Sequence, residues 1–180
     1  VKILRPGPGV GGHCISVDPW FFVESAPELA SLIHTARRVN DSQPHFALEL
    51  VKRAAGSLEG KKVAALGLAF KEDVDDLRES PAVNLANLMV GEGAIVTAFE
   101  PNKPEARFDG FATVPGLDMA LKEAELVVIL VAHREFKELK PVELVSLTSC
   151  RVLVDMRGIL NRDEWEMAGF RLFTLGDGHH

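Results

Sequence analysis

The sequence predicts an α/β fold: a parallel sheet covered by helices on both faces, preceded by a long helical segment. Three observations predict it. Beyond residue 60, short apolar runs ("KKVAALGLAF", "AIVTAFEP", "LVVILVA", "CRVLVDMRG") alternate with stretches of helical spacing. Those runs are apolar at nearly every position instead of every second one, the mark of strands buried on both faces. Residues 25–56 keep helical periodicity up to a short linker bracketed by Gly56 and Gly60. With 180 residues, 47% hydrophobic and 26% charged, the chain has the size and composition of one globular domain plus an appendage. We divide it into residues 1–58, a cysteine loop with central helices, and residues 59–178, the sheet domain.

Each element has its own signal. The first 24 residues, rich in glycine and proline and closing on Trp20, Phe21 and Phe22, read as an irregular loop that docks by its tail. Ser25 suits a helix N-cap and Pro27 a first turn. Leu29, Leu32, Ile33 and Ala36, then Phe46, Leu50 and Val51, hold helical spacing. Pro44 has no amide proton, so it should kink or break this helix, or begin a second one. "KKVAALGLAF" is a strand ending in a glycine turn. "SPAVNLANLMVGEG" is a helix with Ser80 as N-cap, Pro81 at its first position and glycines closing it. Strand "AIVTAFEP", helix "GLDMALKEA", strand "LVVILVA", short helix "PVELVSLT" and strand "CRVLVDMRG" follow, with "FRLFTLG" a candidate fifth strand. Ligand sites in such sheets lie beyond the carboxyl ends of the strands, here at 68–78, 100–102, 132–136 and 155–160.

Several function classes are disfavoured. A net charge of −6 with no basic block argues against a nucleic-acid binder. No apolar run approaches the roughly 18 residues of a membrane span. The start does not resemble a signal peptide, although it lacks a methionine. Cys14 and Cys150 leave a disulfide open but do not make a secreted scaffold, so the cytoplasm is the expected location. No metal site is expected. His179 and His180, in "GDGHH", have the look of a tag remnant and carry no functional weight.

Two stretches carry chemistry. Gly7, Gly9 and Gly12 match G-x-G-x-x-G, the letters of a dinucleotide turn. No strand enters it, however, and Asp18-Pro19 interrupts any helix leaving it, so we read the match as coincidence. The turn "LGLAFKED" keeps only Gly67, with Phe70 where a phosphate needs a small residue. It is either a Rossmann-type turn that has changed ligand or a purely structural one. Cys150, leading an apolar strand, reads as a small hydrophobe. Cys14 differs, because Gly11 and Gly12 can bring bare amides to a reacting atom, with His13 and Asp18 nearby. A purely structural glycine loop stands beside that reading. A Cys–His peptidase is weaker, since adjacent side chains in extended chain point opposite ways. In "AFKEDVDDLRESP" Lys71 and Arg78 flank four acids before a helix N-terminus, and Arg157 ends another strand. Three cations on one rim point to an anionic, phosphate-bearing ligand; a solvated charged face is the plainer alternative.

Taken together, "GPGVGGHCISVDPWF", "RRVNDSQP", "LGLAFKEDVDDLRESPA" and "VDMRG" resemble the UDP-glucose/GDP-mannose dehydrogenase family, in the family's own order and over nearly the whole chain. The resemblance implies a Rossmann-like UDP-binding domain from the C-terminal portion of an NAD-dependent enzyme that oxidises a nucleotide-sugar alcohol to a uronic acid in two steps. The family's N-terminal NAD domain and its lysine have no counterpart in these residues. By the same resemblance Cys14 is the nucleophile and Asp18 lies near the attacking water. Gly9, Gly11 and Gly12 admit substrate to the backbone, Lys71 and Arg157 contact substrate, and Arg78 reaches the cofactor. Residues 25–56 match a helix through which members form homodimers. Val17 stands where many UDP-glucose enzymes have lysine. That difference, with "GGHCI" and "VDPWF", points to the branch acting on UDP-N-acetylmannosamine or UDP-N-acetylglucosamine. UDP-glucose oxidation, a non-catalytic nucleotide-binding module and a thiol hydrolase remain the alternatives.

Overall fold

The computed structural model describes residues 5–178; His179 and His180 lie outside the described residues. Six strands form one sheet: β1 (Lys62–Leu66), β2 (Ile95–Phe99), β3 (Ala112–Thr113), β4 (Leu126–Ile129), β5 (Val152–Asp155) and β6 (Arg171–Thr174). All pairings are parallel and the spatial order is β3-β2-β1-β4-β5-β6. This is the Rossmann-like order, and its direction reverses between β1 and β4.

Register sorts the apolar strand residues onto two faces. Val63 pairs with Val96 on one side and Leu126 on the other. These residues, with Ala65, Val128 and Val154, pack under α2 (Ser31–Ala55) and α3 (Pro81–Gly91). The intervening positions Ala64, Leu66, Val127, Ile129 and Leu153 face the opposite layer. That layer contains α4 (Leu117–Leu121), α5 (Arg134–Lys137), α6 (Pro141–Leu147) and α7 (Arg162–Met167), anchored by Leu121, Phe136, Leu144 and Trp165. A slip of one residue would exchange the two sets, so the continuous apolar runs fix strand position only because both faces are covered. The candidate fifth strand is β6. The two-residue edge strand β3 and helices α5 and α7 add to the predicted set.

Three expectations for the first 60 residues need correction. Residues before Ser25 are not all irregular: α1 (Asp18–Ser25) is a helix with Pro19 in its first turn. A proline there loses no hydrogen bond, because first-turn amides have no helical partner. Ser25 is therefore the last residue of α1, its hydroxyl donating to the Phe21 carbonyl at 2.6 Å, and not an N-cap. Pro27 precedes α2, which starts at Ser31 after Ala30. Nor does Pro44 end α2, which runs unbroken through it. The carbonyl that lost its donor belongs to Asn40, and the chain at Gly9 packs against it. Burial of Ala47, Leu48, Leu50, Val51 and Ala54 on the sheet holds the helix beyond the proline. Helix α3 matches its signal: the Ser80 hydroxyl accepts from the Ala82 amide at 3.2 Å. Among the described residues, no helix is long and apolar enough to cross a membrane.

Candidate functional site

At the carboxyl ends of β1 and β4 the chain builds a buried polar cluster around Glu100. Its Oε2 accepts from the amides of Leu68 at 2.6 Å and Ala69 at 2.9 Å, and lies 3.0 Å from His133 Nε2. Oε1 accepts from the Asn102 amide at 3.0 Å. His133 Nδ1 accepts from the Asp73 amide at 2.9 Å, with Asn102 Nδ2 at 3.1 Å. An amide can only donate, so Nδ1 carries no proton and Nε2–H donates to Glu100. Burial alone would push the Glu100 carboxyl up. Hydrogen bonds from His133 and Leu68 outweigh it and hold the group below its usual range. Two amides of the first turn, those of Leu68 and Ala69, are thus engaged by a carboxylate of the same chain.

That cluster fixes the loop bearing Lys71 and Arg78. Asp73 sits in the left-handed region at φ 57°, pinned through its amide to His133. Its Oδ1 accepts from the Arg134 amide at 2.9 Å, which holds its carboxyl below the usual range. Lys71, two residues earlier, is exposed. At the end of β5, buried Asp155 accepts from the amides of Arg157 at 2.8 Å, Ile159 at 2.7 Å and Leu160 at 2.9 Å. This turn aims Arg157 out of the sheet. Burial pushes its guanidinium below the ordinary value, opposed by nearby Glu72 and Asp155. Among the described residues, no hydrogen bond or ion pair is made by that guanidinium, and a half-buried cation in that state is open to an anionic ligand.

The cysteine loop lies directly against this rim. A Cβ at Gly7 would overlap the Arg157 guanidinium, and one at Gly11 would overlap the Glu79 carbonyl. Gly9 packs on the Pro81 ring. Gly12 has φ +96°, and a Cβ there would come within 2.8 Å of the Phe70 ring. Its amide donates to the Glu79 carbonyl at 3.3 Å. The glycines therefore have a packing role: they let the loop backbone seat against Arg157, Pro81, Phe70 and the Glu79 carbonyl. Cys14 is exposed at the loop's crest, and both cysteines are free thiols. The amide of Asp18, at the start of α1, donates to the Cys14 carbonyl at 2.8 Å, and the Asp18 side chain is exposed.

Of the three predicted cations, Arg157 lines the base of the cysteine loop and Lys71 stands on the first turn. Arg78 lies elsewhere, near the thiol itself. Its Nη2 is 2.7 Å from Asp76 Oδ2 and 3.3 Å from Nδ1 of His13, the neighbour of Cys14. The Asp76 hydrogen bond raises the Arg78 guanidinium further and holds the Asp76 carboxyl far below its usual range. Glu100 and His133 were not singled out individually from sequence, although both fall within the strand-end segments. Among the described residues, no cluster of three or more His, Cys, Asp or Glu side chains could hold a metal ion.

Comparison with known proteins places this geometry. Residues 64–162 match the model of the UDP-glucose/GDP-mannose dehydrogenase family, UDP binding domain, and residues 1–42 match that family's central domain. The chain is 42% identical over 99% of its length to the UDP-N-acetyl-D-mannosamine dehydrogenase of Methanocaldococcus jannaschii, spanning 41% of that relative. It is 46% identical over 88% of its length to an NDP-N-acetyl-D-galactosaminuronic acid dehydrogenase of Ralstonia nicotianae, spanning 37% of it. The solved UDP-D-ManNAc dehydrogenase of Pyrococcus horikoshii superposes with a TM-score of 0.84 at 30% identity, over 99% of this chain and 41% of that one. With both family models matched in order and the Rossmann-like sheet in place, the chain belongs to the UDP-glucose/GDP-mannose dehydrogenase family.

Proposed function

We propose that these residues form the substrate-holding, thiol-bearing part of an NAD-dependent nucleotide-sugar dehydrogenase that oxidises the 6-hydroxyl of UDP-N-acetylmannosamine to the uronate. One observation carries the reading: an exposed cysteine sits on a loop pressed against the rim that holds a half-buried arginine whose guanidinium makes no hydrogen bond or ion pair among the described residues. Cation and thiol are thereby offered to one ligand. The choice of sugar is supported by Val17 in place of lysine and by the activity named for the M. jannaschii relative. In this reading residues 1–58 bring the thiol and residues 59–178 hold the UDP moiety. A cytoplasmic location fits two free thiols.

The first turn of this sheet does not fit NAD, because Glu100 already occupies the Leu68 and Ala69 amides that would meet a pyrophosphate. Arg78 is then the contribution of this chain toward a cofactor held elsewhere in the protein. NAD, when bound, supplies the acceptor of two electrons and a proton in each of the two oxidations. The residues of this chain act on the carbon. Oxidation of the alcohol leaves an aldehyde, whose carbon the Cys14 thiolate attacks. The carbon–sulfur bond forms, the carbonyl π electrons move to oxygen, and the resulting thiohemiacetal takes up a proton there. Its carbon now bears a hydroxyl and can be oxidised again, giving a thioester. Water then adds to the thioester, the carbon–sulfur bond breaks, the thiol is regenerated and the uronate leaves. Asp18, one helical turn past Cys14, is the candidate to take the proton of that water.

Calorimetry tests the substrate rim. Lys71→Ala and Arg157→Ala should each weaken UDP-sugar binding about 10- to 150-fold, the loss of a hydrogen bond to a charged group. Arg78→Ala should leave UDP-sugar affinity nearly unchanged, and NAD titrated into the 180-residue chain should give no binding heat. Equal effects from all three substitutions, or none from any, would reduce the cations to a solvated face.

We also infer a homodimer through residues 25–56. Leu32, Ile33, Val39 and Phe46 of α2 are exposed, beside Phe21, Phe22 and Leu29. An apolar surface of this kind favours association, and a second copy presents the same helix by two-fold symmetry. Sedimentation should show a dimer that Phe46→Glu weakens; a monomer at high concentration contradicts the inference.

A further inference from the structure

We propose that Asn40 and Arg37 of α2 are positioning residues for the Cys14 thiol, gripping its loop on both sides; this rests on the reading of Cys14 as nucleophile. Asn40 Oδ1 accepts from the Val10 amide at 2.8 Å and Asn40 Nδ2 donates to the Val10 carbonyl at 3.0 Å. One side chain thus holds both backbone groups of the residue four positions before the thiol. Arg37 Nη1 donates to the carbonyl of Ile15, the residue after the thiol, at 3.2 Å. Residues 37 and 40 are three apart on a helix and so share a face. Between the two grips, the Gly12 amide is tied to Glu79 from the opposite side, and the Ser16 hydroxyl bonds the Gly12 carbonyl within the loop.

The chemistry of Arg37 supports a positioning role. It is 7% exposed, its Nη2 pairs with Asp41 one turn on, and among the described residues its buried Nε has no hydrogen-bond partner. An apolar side chain of similar volume would fill the same space and leave no unsatisfied atom. What only a long, multiply donating side chain supplies here is the bond to Ile15. The Pro44 substitution of a helical amide works in the same direction. It leaves the Asn40 carbonyl facing Gly9, so the loop approaches α2 at the level where the Asn40 side chain meets Val10. A crest of four residues, Gly11 to Cys14, is held at both feet and at its middle.

Attack on an aldehyde requires the sulfur in a near-attack position, and a displacement of about 1 Å costs on the order of 100-fold. The earlier alcohol oxidation does not use the thiol. Releasing the clamp should therefore change the partition between products, which a general loss of folding would leave alone. The intact enzyme is supplied with UDP-N-acetylmannosamine, NAD and semicarbazide as an aldehyde trap, and uronate and trapped aldehyde are both measured. In Asn40→Ala the uronate-to-aldehyde ratio should fall about 10- to 100-fold with KM for the sugar nucleotide unchanged. Amide hydrogen exchange at Val10 should accelerate. Asn40→Asp, which keeps the acceptor for the Val10 amide, and Arg37→Lys, which keeps a donor, should show smaller falls and decide the matter where the alanine variant does not fold. An unchanged ratio in the folded variants, or unaltered exchange at Val10 in Asn40→Ala, overturns the clamp. Cys14→Ala separates the two readings: an unchanged ratio there removes the nucleophile itself, whereas a collapsed ratio with unaffected Asn40 variants removes only the clamp.

Discussion

Cys14→Ser is expected to lower uronate formation by more than about 1,000-fold, in line with the loss of other catalytic nucleophiles, while UDP-sugar affinity stays within about threefold. The asymmetry follows from where the residue sits. Its side chain is exposed, and the loop is held by backbone groups and by glycines, so replacing sulfur by oxygen disturbs no packing contact. A serine hydroxyl is protonated at neutral pH and is the weaker nucleophile, whereas a thiol supplies thiolate. Cys150 is the internal control. It is buried just before β5, burial pushes its thiol up, and its Sγ lies 3.3 Å from the Val152 carbonyl. Cys150→Ser should alter stability and leave the product unchanged. Turnover at the ordinary rate in Cys14→Ser would remove the cysteine from the mechanism.

Glu100→Ala is expected to destabilise the fold by about 3–5 kcal/mol, the cost of leaving several buried donors unsatisfied at about 1–3 kcal/mol each. The loss is large because one carboxylate satisfies the amides of Leu68, Ala69 and Asn102 as well as His133 Nε2. The pH dependence has a definite sign. The folded carboxyl is held below its ordinary value, so its contribution is complete above the unfolded pKa of about 4.3. It is lost as pH falls through the lower, folded value. Urea midpoints measured from neutral to acid pH should decline below about pH 4 in the wild type, with a shallower decline in Glu100→Gln. A variant within about 0.5 kcal/mol of wild type, an ordinary surface effect, would mean that the cluster does not hold the turn.

What the sequence disclosed follows from the range of the interactions involved. The sheet was legible because continuous apolar runs report burial on both faces, and α3 because Ser80 and Pro81 form a local start signal. Helix α1 was not, since a proline that stops one helix can open another, and only the placement of Asp18 decides which. The continuity of α2 through Pro44 depends on packing against a sheet more than ten residues away in sequence. Helix α7 has only Trp165, which is 1% exposed, and the exposed Met167 as apolar residues, and so showed no periodic stripe. At the site, Cys14 and the strand-end cations stood out by residue type and by motif. Their partners did not: Glu100 meets His133 across 33 positions, Asn40 meets Val10 across 30, and Arg78 meets His13 across 65. Such pairings exist only once the crossover connections have brought distant strand ends together.

Trapping the acyl-enzyme tests the thiol mechanism most directly. The intact enzyme is quenched in acid during turnover with UDP-N-acetylmannosamine and NAD, digested, and mapped by mass spectrometry. The peptide containing Cys14 should carry the nucleotide-linked uronyl group and release it on treatment with hydroxylamine, as a thioester does. Uronate accumulating in the same sample with the adduct on a different residue, or with Cys14 unmodified throughout, would contradict the assignment of Cys14 as the residue that carries the sugar carbon.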